Sequence, residues 1–252
     1  MWIDILSGGL VGFVVGATGI GGGAIMTPLL LIGYGMPVAH AIGTDLMYAT
    51  GTKIAVAYSY NKHGSVDWKI TCLLSAGSIP ATLLEMSFWP VAPEHLNIIS
   101  SRALVCVLLA TVVAIIYRPN KSISTPESMV KPTSSTKLVI SGILVGILVS
   151  ISSIGAGVIA TVLLMYMLPH FPIIKIIGTE LSHAVLLTAV AGLCHAKLGH
   201  VDWQLVGNLL IGSVPAAFIG SKFAHGNYSK ILKPLILGLL SISGIRLVLI
   251  GV

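Results

Sequence analysis

Apolar residues run along this chain in long blocks separated by short polar breaks. The blocks cover about 4–34, 38–61, 67–90, 96–117, 138–168, 173–196, 202–222 and 231–250. A helix that crosses the hydrocarbon core of a bilayer needs ~20 apolar residues, and each block reaches that length. Between the fourth and fifth blocks lies RPNKSISTPESMVKPTSSTK, residues 118–137. Its Pro, Ser, Thr and Lys content predicts a flexible linker outside the bilayer. The pattern predicts an all-α polytopic membrane protein. It has a first membrane repeat at 1–117, the linker at 118–137 and a second membrane repeat at 138–252.

The two repeats share sequence. GTDL at 43–46 returns as GTEL at 178–181, and Gly64, Val66, Asp67 and Trp68 return as Gly199, Val201, Asp202 and Trp203. GSIPA at 77–81 returns as GSVPA at 212–216, and Pro37 returns as Pro172. All share an offset of 135 residues, while Gly12, Gly21, Gly23 and Thr27 match Gly146, Gly155, Gly157 and Thr161 at 134. One inserted residue accounts for the difference. Internal repeats of this kind characterise secondary transporters.

Charge orients the repeats. If all eight blocks span, one face has seven Lys and Arg, eight with Arg246, against five on the other, a weak bias. The first block contains Gly19, Gly21, Gly22 and Gly23, and the fifth contains Gly155 and Gly157. If each is instead a hairpin that enters and leaves by one side, three spans remain per half and the halves are inverted. One face then collects Lys62, Lys69, Arg118, Lys121, Lys131, Lys137, Lys175, Lys222, Lys230 and Lys233. The other keeps Arg102, Lys197 and Arg246. Ten against three matches the positive-inside rule, so inverted repeats are predicted, with both termini outside and the linker cytoplasmic.

Composition narrows the classes further. Only 9% of residues are charged and 55% are hydrophobic, whereas a soluble domain carries about 25% charged residues. The net charge of +6 reflects Lys and Arg between apolar blocks and does not point to nucleic acid. Cys72, Cys106 and Cys194 are an odd number inside apolar stretches, which excludes a disulfide scaffold. The opening residues lack a basic region and do not read as a signal peptide.

The glycine clusters fit a dinucleotide pattern: Gly19-Ile-Gly21-Gly22-Gly23-Ala24 before Asp45, and Gly155-Ala-Gly157-Val-Ile-Ala160 before Glu180. A nucleotide site is rejected, because that fingerprint needs a strand before it and a βαβ unit around it. Two readings stay open. The glycines let helices pack closely, or they break helices at membrane depth and build an anion site from backbone N–H groups.

GATGIGGGAIMTPLLL, then GTDLMYATGTK, then HGSVDW, resembles the sulfite exporter (TauE/SafE) family of membrane permeases. GTELSHAVLLTAVAG followed by GHVDW is similar to its second repeat. The resemblance covers nearly the whole chain. It implies transport of small anions, chiefly sulfite and organosulfonates, with the glycine-rich and GT motifs near the substrate path. Glu85 departs from the repeat, since Gly220 stands at its mate position.

Ionisable residues inside membrane segments are functional hypotheses by default. Here they are Asp45, Lys53, Glu85, Glu180 and His183. Asp45 and Lys53 fall on one face of a helix, and Glu180 and His183 are helix neighbours. This reads as a carboxylate–ammonium pair in one half and a carboxylate–imidazole pair in the other. Lys53 supplies positive charge for an anion, and Glu180 and His183 carry protons, for which imidazole is suited. The alternatives are a structural salt bridge, and caps of helix starts for Asp45 and Glu180. The expected substrate site comprises Gly19, Gly21, Gly22, Gly23, Thr44, Asp45, Lys53, Gly155, Gly157 and Thr179.

The remaining motifs add little chemistry. His63, His195 and His200 lie near loops without the spacing of a metal site. Trp68 and Trp203 read as interfacial anchors. No GxSxG, Walker A or HExxH motif occurs, and the linker is too short for a nucleotide-binding domain. The expectation is a secondary transporter of small anions in the cell inner membrane, driven by protons, and not an enzyme. No cofactor, metal or nucleic acid is expected. The partners are the anionic substrate and the lipid bilayer, and a homodimer is left open. The rivals are an uncoupled facilitator and an intramembrane enzyme or redox partner.

Overall fold

The computed structural model describes residues 1–19, 22–88, 106, 134–153, 157–169 and 171–223. The block at 96–117 apart from residue 106, the block at 231–250, most of the linker, Gly21 and Gly155 lie outside the described residues. Eight helices follow in chain order among those described. They are α1 Trp2–Thr18, α2 Gly23–Pro28, α3 Val38–Lys62, α4 Trp68–Phe88, α5 Ser135–Ser152, α6 Val158–Met167, α7 Ile173–Lys197 and α8 Trp203–Phe223. A π-helical turn, Leu29–Gly33, extends α2. Helices α4, α5, α7 and α8 are long and apolar enough to cross a bilayer.

Local signals set the helix ends, and they recur in both halves. Asp67 Oδ1 accepts the N–H of Ile70 and Asp202 Oδ1 accepts that of Leu205, so each aspartate caps the helix after it. Helix α3 closes with Ser65 N–H on the Tyr60 carbonyl and Gly64 N–H on that of Asn61. Helix α7 closes the same way, His200 on His195 and Gly199 on Ala196. This closure needs a left-handed residue, and Gly64 and Gly199 supply it with φ of 66° and 78°.

Packing crosses between the halves. Helix α1 runs parallel to α8, with Gly8, Gly12 and Gly16 against the backbone of Leu209, Ser213 and Ala217. Helix α5 runs parallel to α4 through the mates of those residues, Gly142 and Gly146 against Leu74 and Ser78. A Cβ at any of these five glycines would sit within 2.6 Å of the facing backbone, so small residues set the helix spacing as they do in membranes. At the centre lie α3 and α7. Gly192 meets Met47, Thr188 bonds Thr50 and Gly178 meets Tyr60. The partner number falls as the α3 number rises, so these two repeat mates pack antiparallel.

Candidate functional site

The α3–α7 seam carries the ionisable residues singled out from the sequence. Asp45, Glu180 and His183 are fully buried and Lys53 is 2% exposed. The antiparallel register sets Lys53 nearly level with His183. Asp45 lies eight residues to one side of Lys53, about 12 Å along the helix, and Glu180 is displaced by about 7–8 Å to the other.

Neither expected ion pair closes. Among the described residues, no carboxylate oxygen comes within 4.0 Å of the Lys53 ammonium or of the His183 ring. Two helical turns separate Asp45 from Lys53, too far for contact. His183 turns away from Glu180, and its Nε2 shares a 2.9 Å hydrogen bond with Ser78 of α4. Its mate Tyr48 reaches the Gly8 carbonyl of α1.

Asp45 is held instead by hydroxyls from two directions. Thr27 of α2 and Ser153, just past α5, both donate to Oδ2, the latter at 2.8 Å. Oδ1 is buried with no hydrogen-bond partner. A Cβ on Gly23 would lie 2.4 Å from the Ser153 carbonyl and 3.1 Å from Asp45 Oδ2. Gly22 precedes α2 and packs on Val15 and Tyr48. The start of α2, the end of α5 and Asp45 therefore meet at one point.

Glu180 has no such donors, and neither of its oxygens has a hydrogen-bond partner. The repeat explains why. Ser153 corresponds to Gly19, which has no hydroxyl and packs on Ile177. Thr27 corresponds to Thr161, whose hydroxyl donates to the Gly157 carbonyl at the start of α6. Ser153 has φ of 59°, and it is the only non-glycine residue with positive φ among those described. Such strain concentrates at functional sites.

Thr44 and Thr179 each hold a loop of the opposite half. The Thr44 hydroxyl accepts the N–H of Asp202 at 3.1 Å, and the Thr179 hydroxyl accepts that of Asp67 at 2.9 Å. Beside them, a Cβ on Gly43 would lie 2.3 Å from the His200 carbonyl, and one on Gly178 2.2 Å from that of Ser65. The Gly-Thr pair of each half thus grips the loop before the Val-Asp-Trp of the other. That explains why the two motifs repeat together. The sequence reading missed Asp67 and Asp202 as caps, although an aspartate before an apolar run is the usual signal. It also missed Ser78 and Ser153, for which no spacing rule exists.

Around the second of these loops three imidazoles gather. The His200 ring lies 5.3 Å from His40 and 5.7 Å from His195, centroid to centroid. His200 stands outside the helices, and burial, with the neighbouring His40 ring, holds it below the ordinary imidazole range. Among the described residues, no group of three His, Cys, Asp or Glu could hold a metal ion. Trp68 and Trp203 are both more than half exposed at the starts of α4 and α8. Glu85, near the end of α4, is half-buried.

The whole chain has relatives. It is 32% identical over 251 residues to a probable membrane transporter protein of Bacillus subtilis, YjnA, covering 97% of this chain and 98% of that one. It is 24% identical to a second from the same organism, YdhB, covering 94% and 96%. A probable membrane transporter protein of Xylella fastidiosa is 26% identical, covering 96% and 92%. No solved structure matches the chain. Residues 5–247 match the sulfite exporter TauE/SafE family. The apolar helices, the duplicated motifs and this match make the chain a membrane transporter of the sulfite exporter TauE/SafE family.

Proposed function

We propose that the protein is a proton-coupled secondary transporter of small anions, sulfite or an organosulfonate, in the cell inner membrane. The observation that carries this is Lys53, a buried lysine with no ion-pair partner among the described residues, set between two buried carboxylates. An unneutralised charge at membrane depth is costly, and its persistence marks a substrate or ion pathway. With Asp45, Lys53 and Glu180 all ionised, the seam carries one net negative charge and repels an anion. A proton taken up beside Lys53 removes that charge and leaves the ammonium free for an anion. Glu180 is the carboxylate without hydroxyl donors and so the one to take the proton, with His183 at the level of Lys53 as its relay. Gly19, Gly22, Gly23 and Gly157 mark the helix ends at which substrate would meet backbone.

We further read the halves as inverted, each opening with a glycine-broken hairpin. The antiparallel α3 and α7 support this, since repeats of one orientation would run them parallel. So does the meeting of His40, at the start of α3, with His200, after α7. If all eight blocks spanned, those residues would lie on opposite faces of the bilayer.

Flux in proteoliposomes with an imposed pH gradient tests the function. Sulfite, taurine, sulfoacetate, sulfate and simple carboxylates are offered in turn. The parent should accumulate one of the sulfur oxyanions in response to the gradient. Lys53→Met should abolish uptake while the protein stays folded in detergent. His183→Gln should keep substrate binding and lose the response to the gradient. Transport at the parent rate in Lys53→Met overturns the role of the ammonium. Flux that ignores the gradient in the parent marks an uncoupled facilitator instead.

A further inference from the structure

The proton reading uses Lys53, Glu180 and His183 and leaves Asp45 without a task. We propose that Asp45, Ser153 and Thr27 form a binding site for a monovalent cation, sodium, where the end of α5 meets the start of α2. The ligands are all hard oxygens. They are the unpartnered Asp45 Oδ1 and the two hydroxyls that donate to Oδ2. Each hydroxyl uses its hydrogen on the carboxylate and keeps its lone pairs for a cation. The Ser153 carbonyl lies beside them, kept open by the lack of a Cβ on Gly23.

Three further facts point the same way. Helix α5 ends at Ser152, and the C-terminal end of a helix is its negative pole. Half-helix C-terminal ends and unwound carbonyls are where coupling sodium ions sit in transporters built from inverted repeats. Oδ1 is buried and accepts no hydrogen bond, so its lone pairs are unused. A cation binds the lone pairs directly. One carboxylate supplies one negative charge, which suits a monovalent ion, whereas calcium sites collect several carboxylates. Gly19, the mate of Ser153, has no hydroxyl to offer Glu180, so the second half lacks an equivalent.

The site deepens the transporter reading by adding a coupling ion, but it is testable without it. Purified protein in detergent is titrated with sodium chloride against choline chloride at matched ionic strength, and Tm is followed. Sodium should raise Tm saturably. Ser153→Ala should need about tenfold more sodium or greater for the same shift, as expected for a lost ligand to a charged group. Asp45→Asn should show no shift. Absence of a sodium-specific shift in the parent overturns the proposal. So does unchanged half-saturation in Ser153→Ala, which decides the matter if Asp45→Asn fails to fold. An equal response to potassium chloride overturns the assignment to sodium. Sulfite-induced stabilisation measured in sodium-free buffer separates this outcome from failure of the anion reading.

Discussion

Ser153 donates a hydrogen bond to Asp45 across the boundary between the halves, 108 residues away in sequence. Its equivalent in the first half is a glycine, so the carboxylate of one repeat gains a hydroxyl that the carboxylate of the other does not. The left-handed backbone of Ser153 costs about 1–3 kcal/mol. The bond to a charged group returns about 1.5–3 kcal/mol.

Those magnitudes separate two substitutions. Ser153→Gly loses the bond but relieves the backbone, so its stability should fall by no more than about 1–2 kcal/mol. Ser153→Ala loses the bond and keeps the strain, so it should be the less stable of the two. Denaturant or thermal unfolding in detergent ranks them. An alanine variant as stable as the glycine variant would show that the left-handed backbone at this position costs nothing.

The reciprocal grip on the two loops predicts reciprocal damage. Gly43→Ala and Gly178→Ala each drive a methyl into a backbone carbonyl of the opposite half. Both should destabilise the protein by about 1–3 kcal/mol, as overpacking does. Thr44→Val and Thr179→Val should each lower stability by about 1–3 kcal/mol, because an aspartate N–H is left without its acceptor. Unfolding midpoints for the four variants test this. Damage confined to one half would mean that the two grips are not equivalent.

Topology follows from the same loops. In a variant cleared of Cys72, Cys106 and Cys194, cysteines introduced at Met36 and Lys197 should react with an impermeant thiol reagent from one face. One introduced at Lys62 should react from the other. Labelling of all three from a single side would reject inverted halves.

Acid should weaken the loop after α7. The His200 imidazole is held below its ordinary value of 6.5 by burial first and then by His40. The unfolded chain therefore binds the proton more readily than the folded one. Stability is fully present above that ordinary value and is lost as pH falls from there through the folded value. Substituting His200 by Asn should flatten this part of the pH profile of Tm. A profile unchanged by the substitution would assign the acid sensitivity to other groups.

Among the described residues, the chain pattern anticipated α3, α4, α7 and α8, and the offset of the repeats named their mates. Asp45, Lys53, Glu180 and His183 stood out because charge is rare in apolar blocks, and the structure brings them to one seam. What they touch was not readable. An offset says which residues are equivalent, not which meet, and here the packing of α1 on α8 and of α5 on α4 crosses between halves. The resemblance implies Thr44 near the substrate path, and its hydroxyl also accepts an N–H from a loop that arrives 158 residues later, a contact no offset announces. Asp45 and Lys53 share a helical face, but shared face is not contact over two turns.

The crossing of α1 onto α8, and of α5 onto α4, has a consequence for biogenesis. When the first repeat leaves the ribosome, the glycine face of α1 has no partner, because its partner has not been synthesised. That face stays unpaired until α8 has been made. Maturation thus waits for the last third of the chain. Two halves expressed as separate polypeptides would have to find each other to fold at all.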